Sequence, residues 1–275
     1  MQSSPRSTLP PTSRSHNITS RHRPRTAEEQ CEPAPHWRRR DEPSPILPSQ
    51  VDLTANEQCI IIKSLKGYVK RLPLDEFDAQ QRGTRGKAGM TNLKDDDAVV
   101  QVLQCHAHDV LLCLSVTGVA YALPAYKVPS SSRTSRGVLL QQLLPISEHE
   151  TIATVLPVDS FPEEVFLLLL TKHGWIKKTP LHAFQKLTAR GLIAVSLSDG
   201  DALVRASLCT TSDSVILCSA RGQAVRFETS QAVLRASGRQ SRGVKSMRMG
   251  KDDSITDMSV VRAASDLDEG SSPSP

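Results

Sequence analysis

The chain has 275 residues, of which 38% are hydrophobic but only 4% aromatic, and a formal net charge of +5. Such a length holds one or two domains, with a core of Val, Leu, Ile and Ala rather than aromatic rings. No apolar run approaches the roughly 18 residues of a membrane-spanning helix. The six cysteines (31, 59, 105, 113, 209 and 218) contain no CxxC pair. Several sit in apolar strand-like runs and read as buried free thiols in a reducing compartment.

Residues 1–50 are rich in Ser, Pro and Arg, and Arg6, Arg14, Arg21, Arg23 and Arg25 all precede the first acidic residue, Glu28. This stretch is predicted to be disordered, because it has too little apolar surface to fold. Its bias is that of an organelle transit peptide, which implies a plastid or mitochondrion; a plain disordered tail implies the cytoplasm or nucleoid. The segment 263–275, rich in Ser, Asp and Pro with no Lys or Arg, is predicted to be a second disordered, acidic tail.

Between these ends, over residues 51–262, one unit repeats. Each unit has a glycine followed by a short strand-like run: Gly67-Tyr68-Val69-Lys70-Arg71, Gly118-Val119-Ala120-Tyr121, Gly174-Trp175-Ile176-Lys177-Lys178 and Gly222-Gln223-Ala224-Val225-Arg226. Each run is followed by an Arg-Gly pair, at Arg82-Gly83, Arg136-Gly137, Arg190-Gly191 and Arg242-Gly243, with the glycines 54, 54 and 52 residues apart. Acidic turns open the later units, at Asp95–Asp97, Glu148–Glu150 and Asp199-Gly200-Asp201, and Asp252-Asp253 precedes a last apolar run. The apolar runs are short, β-branched and bounded by turn formers, which predicts strands. A period of about 50 residues built from such strands predicts an all-β, propeller-like array of about four four-stranded blades. The blades are predicted near 56–93, 94–147, 148–198 and 199–262. The repeat glycines are predicted to occupy turns with positive φ.

Nothing in these units predicts an active site. There is no phosphate loop, no GxSxG and no HExxH. His106 and His108 lack a third ligand at a matching spacing, and Gly83, Gly86 and Gly89 lack the strand–loop–helix setting of a nucleotide cradle. We therefore expect no catalytic residue, no metal site and no cofactor in this chain.

The basic residues are placed more regularly. Lys70, Arg71, Lys177, Lys178 and Arg226 follow the repeat glycines. Arg82, Arg85 and Lys87 lie in the first Arg-Gly segment with Gly83 and Gly86; Arg133, Arg136, Arg190, Arg239, Arg242 and Lys245 lie in or beside the later ones. In a stacked array, equivalent positions share a rim. These clusters are thus predicted to form a Lys/Arg stripe suited to a phosphate backbone that bends along it, with duplex DNA as the partner.

The segment Gln80-Gln81-Arg82-Gly83-Thr84-Arg85-Gly86 resembles the glycine–arginine box of the DNA gyrase A family, whose pattern is Gln, basic, Arg, Gly, Gly, basic, Gly. Gln81 stands in place of a basic residue and Thr84 in place of a glycine. The run Gly67-Tyr68-Val69-Lys70-Arg71-Leu72-Pro73-Leu74 is similar to the approach to that box, and the resemblance extends over about residues 51–261. It implies the C-terminal β-pinwheel of the family, a DNA-wrapping module of a type IIA topoisomerase. It also implies partners: a breakage-reunion region carrying the catalytic tyrosine, and a gyrase B-type ATPase that uses ATP and Mg. Tyr68, Tyr121 and Tyr126 all lie in blade sequence, so the chain is expected to be inactive alone. A topoisomerase IV-like C-terminal domain and a protein-binding propeller are the alternatives; against the second, only Trp37 and Trp175 are available to supply a repeating Trp-Asp pair.

Overall fold

Each repeat glycine ends a tight turn between two antiparallel strands, and the four turns are built alike. Gly67, Gly118, Gly174 and Gly222 all have positive φ, between 78° and 87°. Their N–H groups donate to the carbonyls of Ser64, Ser115, Thr171 and Ser219. The hydroxyl of that same Ser or Thr accepts the N–H of the residue after the glycine, at 3.1–3.2 Å. A small residue with an Oγ three positions before each hairpin glycine is thus part of the turn's chemistry.

The computed structural model describes residues 54–77, 82–83, 86, 89–90, 93, 96–187 and 190–263. Most of the two predicted tails, 1–50 and 263–275, lies outside them. Four hairpins organise the rest: β1 (Gln58–Ser64) with β2 (Tyr68–Pro73), β4 (Val110–Ser115) with β5 (Val119–Pro124), β8 (Phe166–Thr171) with β9 (Trp175–Pro180), and β12 (Ser214–Ser219) with β13 (Ala224–Glu228). Each of the first three hairpins is flanked by strands from the following unit, and the fourth by the chain's last strand. The longer flanking strands are β3 (Val99–His106), β7 (Ile152–Val158), β11 (Leu203–Cys209) and β15 (Ile255–Val261). The shorter are two-residue strands that follow the Arg-Gly pairs: β6 (Val138–Leu139), β10 (Leu192–Ile193) and β14 (Val244–Lys245).

The sheets therefore run β3-β1-β2-β6, β10-β5-β4-β7, β11-β8-β9-β14 and β13-β12-β15. The propeller-like, all-β prediction holds, with three blades of four strands and a fourth blade of three among the described residues. The sequence unit and the blade do not coincide, because each of the first three blades pairs one unit's hairpin with strands of the next. The last apolar run, β15, flanks the fourth hairpin as β11 flanks the third.

The blades meet through three apolar clusters. Ile61, Cys113 and Leu123 join the first blade to the second; Leu112, Leu169 and Phe184 join the second to the third; Leu168, Val215 and Met258 join the third to the fourth. Strand β8 is buried along its whole length, as its unbroken apolar run implies. Strands β3, β7, β11 and β15 contact one another in succession. They form the inner edge of the array, so β6, β10 and β14, at the opposite edges of their sheets, lie outermost.

The acidic turns cap strands and also latch adjoining segments. Asp201 Oδ1 accepts N–H groups from both Ala202 and His173, at the tip of the preceding hairpin, each at 2.9 Å. Asp97 holds Ala98 and Lys66 in the same way, and Asp253 holds Ser254 and Arg221. The Asp201 side chain is fully buried. Asp201→Ala strips the acceptor from two N–H groups and is expected to cost about 2 kcal/mol, read as a shift in urea midpoint at constant slope.

Candidate nucleic-acid interface

The Arg-Gly segments are docked on the hairpin of the unit before. Backbone pairing places Val138 opposite Val69, Leu192 opposite Ala120 and Val244 opposite Ile176. The glycine makes this approach feasible. A Cβ on Gly137 would stand 2.3 Å from the Val69 carbonyl oxygen, and one on Gly243 would stand 2.3 Å from that of Ile176. Both glycines also have positive φ, 84° and 97°. The rim position predicted for these segments thus has a steric cause.

Two of the segments fold alike before they dock. Residues 132–135 form a turn closed by Ser135 N–H to the Ser132 carbonyl, and residues 238–241 form one closed by Ser241 N–H to the Gly238 carbonyl. In both, the pattern is Arg-x-Ser-Arg-Gly, at 133–137 and 239–243. That five-residue signature was readable in the sequence beyond the Arg-Gly pair itself.

The buried lysines correct the sequence reading. Lys70, Lys177 and Lys178, predicted to lie on the exposed stripe, are 0%, 1% and 0% exposed. Lys70 Nζ donates to the carbonyls of Ser132, Arg133 and Ser135 at 2.8–3.0 Å. Lys177 Nζ donates to those of Gly238, Arg239 and Ser241, and also to Ala194 beside β10, at 2.6–3.2 Å. Each ammonium sits beneath the turn of the following Arg-Gly segment and fixes its carbonyls. Lys178 donates to the Thr229 carbonyl and lies 4.6 Å above the Phe166 ring. Burial pulls the Lys177 pKa down to about 8 and lowers those of Lys70 and Lys178 as well, with Glu76 opposing at Lys70 and Cys209 at Lys178. With their ammonium groups enclosed and bonded to backbone carbonyls, these residues serve the fold.

Tyr121 takes the lysine's place in the second blade. Its ring carbons lie within 3 Å of the Cβ position of Gly191, and its hydroxyl donates to Glu150 at 3.2 Å. Arg71 is half-buried, and its Nε donates to the Val128 carbonyl at 3.2 Å. It too serves the fold.

The rim itself carries the arginines of the second, third and fourth Arg-Gly pairs. Arg136 lies over the Tyr68 ring at 5.1 Å, and Arg242 lies over Trp175 at 5.2 Å. Lys245 also approaches Trp175 and donates to the His173 carbonyl at 2.8 Å. The aromatic residue after the hairpin glycine therefore props the basic side chain of the next unit. Arg190, Arg226 and Arg242 are exposed, Arg239 is half-buried, and Arg133 pairs with Glu76 at 3.1 Å. Arg82, Gly83 and Gly86 are exposed. Arg85 and Lys87 lie outside the described residues. The structure brings the second, third and fourth Arg-Gly segments to one edge of successive blades. No group of His, Cys, Asp and Glu suited to a metal ion occurs among the described residues.

These features define a propeller-like repeat module with a basic outer rim. The chain belongs to the family described as the DNA gyrase C-terminal domain, a β-propeller, whose model matches residues 61–106, 109–159, 166–210 and 213–262. It is 46% identical over 210 residues to the DNA gyrase A protein of Synechocystis, covering 76% of this chain and 24% of that one. It is 39% identical over 223 residues to the chloroplastic/mitochondrial DNA gyrase A protein of Arabidopsis thaliana, covering 80% of this chain and 23% of the other. The chain thus spans about a quarter of the length of these relatives. Among solved structures, it is similar to a C-terminal domain of DNA topoisomerase IV (TM-score 0.62, 25% identity, 76% of this chain and 63% of that one). It is also similar to a DNA gyrase A C-terminal domain (TM-score 0.60, 26% identity, 74% and 64%).

Proposed function

We propose that this chain is a non-catalytic module of a gyrase A-type topoisomerase that binds duplex DNA and bends it along its outer rim. The observation that carries this reading is the regular docking of Arg-Gly segments on the outer strands of successive blades, with arginines facing outward. Lys and Arg side chains spaced along a repeating rim suit phosphates, so the attraction is to the backbone and is independent of sequence. Cleavage, ATP and Mg chemistry belong to a breakage-reunion region and a gyrase B-type ATPase with which the module works. The purified chain neither cleaves nor relaxes DNA. The chloroplastic/mitochondrial relative and the Arg-rich residues 1–50 together support residence in a plastid or mitochondrion.

A fluorescence titration of the chain against a random-sequence duplex at two salt concentrations tests this. Affinity is expected to fall tenfold or more over a roughly fourfold rise in salt, as counterion release requires. Binding that ignores salt contradicts the reading.

A further inference from the structure

We propose that Cys59 and Cys105 are a peroxide-sensitive thiol pair that oxidation joins into a disulfide between β1 and β3. The two residues are directly opposed in the antiparallel register. Their Sγ atoms stand 3.6 Å apart, and both thiols are reduced. Directly opposed residues of an antiparallel pair hold their Cβ atoms about 4.5–5.5 Å apart, against about 3.5–4.5 Å in a disulfide, so a small side-chain rotation and strand shift closes the bond.

The surroundings divide the labour between the two sulfurs. A hydrogen bond from Cys105 holds the Cys59 thiol below its ordinary range, and the Arg71 guanidinium adds to this, against burial and Asp109. The same hydrogen bond and burial push Cys105 up, so it keeps its proton. Cys105 also lines a solvent-open depression with Gln58, Gln104, His106, Asp109 and Asp159, which brings a small oxidant to the sulfur that touches the buried Cys59. By contrast, burial pushes Cys113 and Cys209 up to about 12, leaving them unreactive.

The chemistry balances with hydrogen peroxide as oxidant. The Cys59 thiolate attacks one peroxide oxygen, the O–O bond breaks, and the released hydroxide takes up a proton as water, leaving a sulfenic acid. The Cys105 sulfur then attacks the sulfenic sulfur. The S–S bond forms, the S–O bond breaks, and hydroxide leaves with the Cys105 proton as a second water. Two thiols are oxidised by two electrons and one peroxide is reduced to two waters. The new bond closes a loop between residues 46 positions apart, which contains the whole first Arg-Gly segment. It ties together the strands on either side of that segment and constrains the unfolded chain.

The test treats the full chain with hydrogen peroxide, alkylates the remaining thiols and maps peptides without reduction. The expected result is one crosslink, Cys59 to Cys105, reversed by dithiothreitol, with Tm raised by roughly 5 °C or more. Cys59→Ser and Cys105→Ser should each abolish both changes. The map of the unsubstituted protein stands on its own should either variant fail to fold. Oxidation confined to the exposed Cys218 or to Cys31, or a crosslink that forms only in denaturant, overturns the proposal.

Discussion

Replacing Lys177 with Met is expected to destabilise the chain by about 3 kcal/mol and lower Tm by roughly 6–12 °C. Methionine keeps most of the apolar stem but none of the donors. Four carbonyl oxygens, on Ala194, Gly238, Arg239 and Ser241, then lose the ammonium that satisfies them. Removing one partner of a buried polar set costs more than the set itself contributes, because the survivors stay desolvated. Lys63 provides the contrast. It is 5% exposed, its ammonium has no hydrogen-bond partner among the described residues, and burial lowers its pKa, with Cys113 opposing and Arg205 adding to that. Lys63→Met is therefore expected to leave Tm unchanged or raise it. Thermal unfolding of the two variants side by side checks both statements. Equal losses in the two would mean that the carbonyl cage around Lys177 contributes nothing beyond its stem.

Gly243→Ala is expected to release the fourth Arg-Gly segment from the third blade. The added methyl meets the Ile176 carbonyl oxygen at 2.3 Å and Lys177 Cβ at 2.7 Å, on a backbone with φ of 97°. Neither neighbour is the free end of a flexible chain, so β14 must move away from β9. We expect a loss of about 3 kcal/mol, above the roughly 1 kcal/mol that positive φ alone imposes on alanine. Gly222→Ala is the matched control: its φ is 81°, but nothing lies within 4 Å of the added carbon. It should lose only the smaller amount. Amide exchange adds a local readout, because the Ser246 N–H, bonded to the Gly174 carbonyl just beyond β14, should lose protection in Gly243→Ala alone.

The sequence disclosed the repeat because its constraints are local. A hairpin glycine and a docked Arg-Gly pair each need a particular residue at a particular place, and both recur at a fixed period. Long-range pairing was less legible. The strands β6, β10 and β14 are two residues long, too short for any periodicity to show. Their partners lie in the preceding unit, so the interlocking of units into blades left no mark on local pattern. The lysines misled for a related reason. Lys70 and Lys177 fall three residues after a hairpin glycine, in runs that look half-exposed, and a charged side chain is ordinarily on the surface. What buries them is a ring of carbonyls from a turn more than sixty positions away. The clue available was Tyr121 at the equivalent position of the second unit, a buried residue with one polar end. Arg190, Arg226 and Arg242 needed no such partner, and the structure leaves them exposed.

If the outer arginines act together to bend DNA, end-to-end energy transfer on a duplex of about one persistence length, labelled at both ends, reads that bending most directly. The chain should raise transfer between the ends. The triple variant Arg136→Ala, Arg190→Ala, Arg242→Ala should abolish most of that rise while keeping a thermal transition close to the parent's, since the three side chains lie on or near the surface. Unchanged bending by a folded triple variant, or binding by the parent with no approach of the ends, would contradict the assignment of the rim as the DNA path.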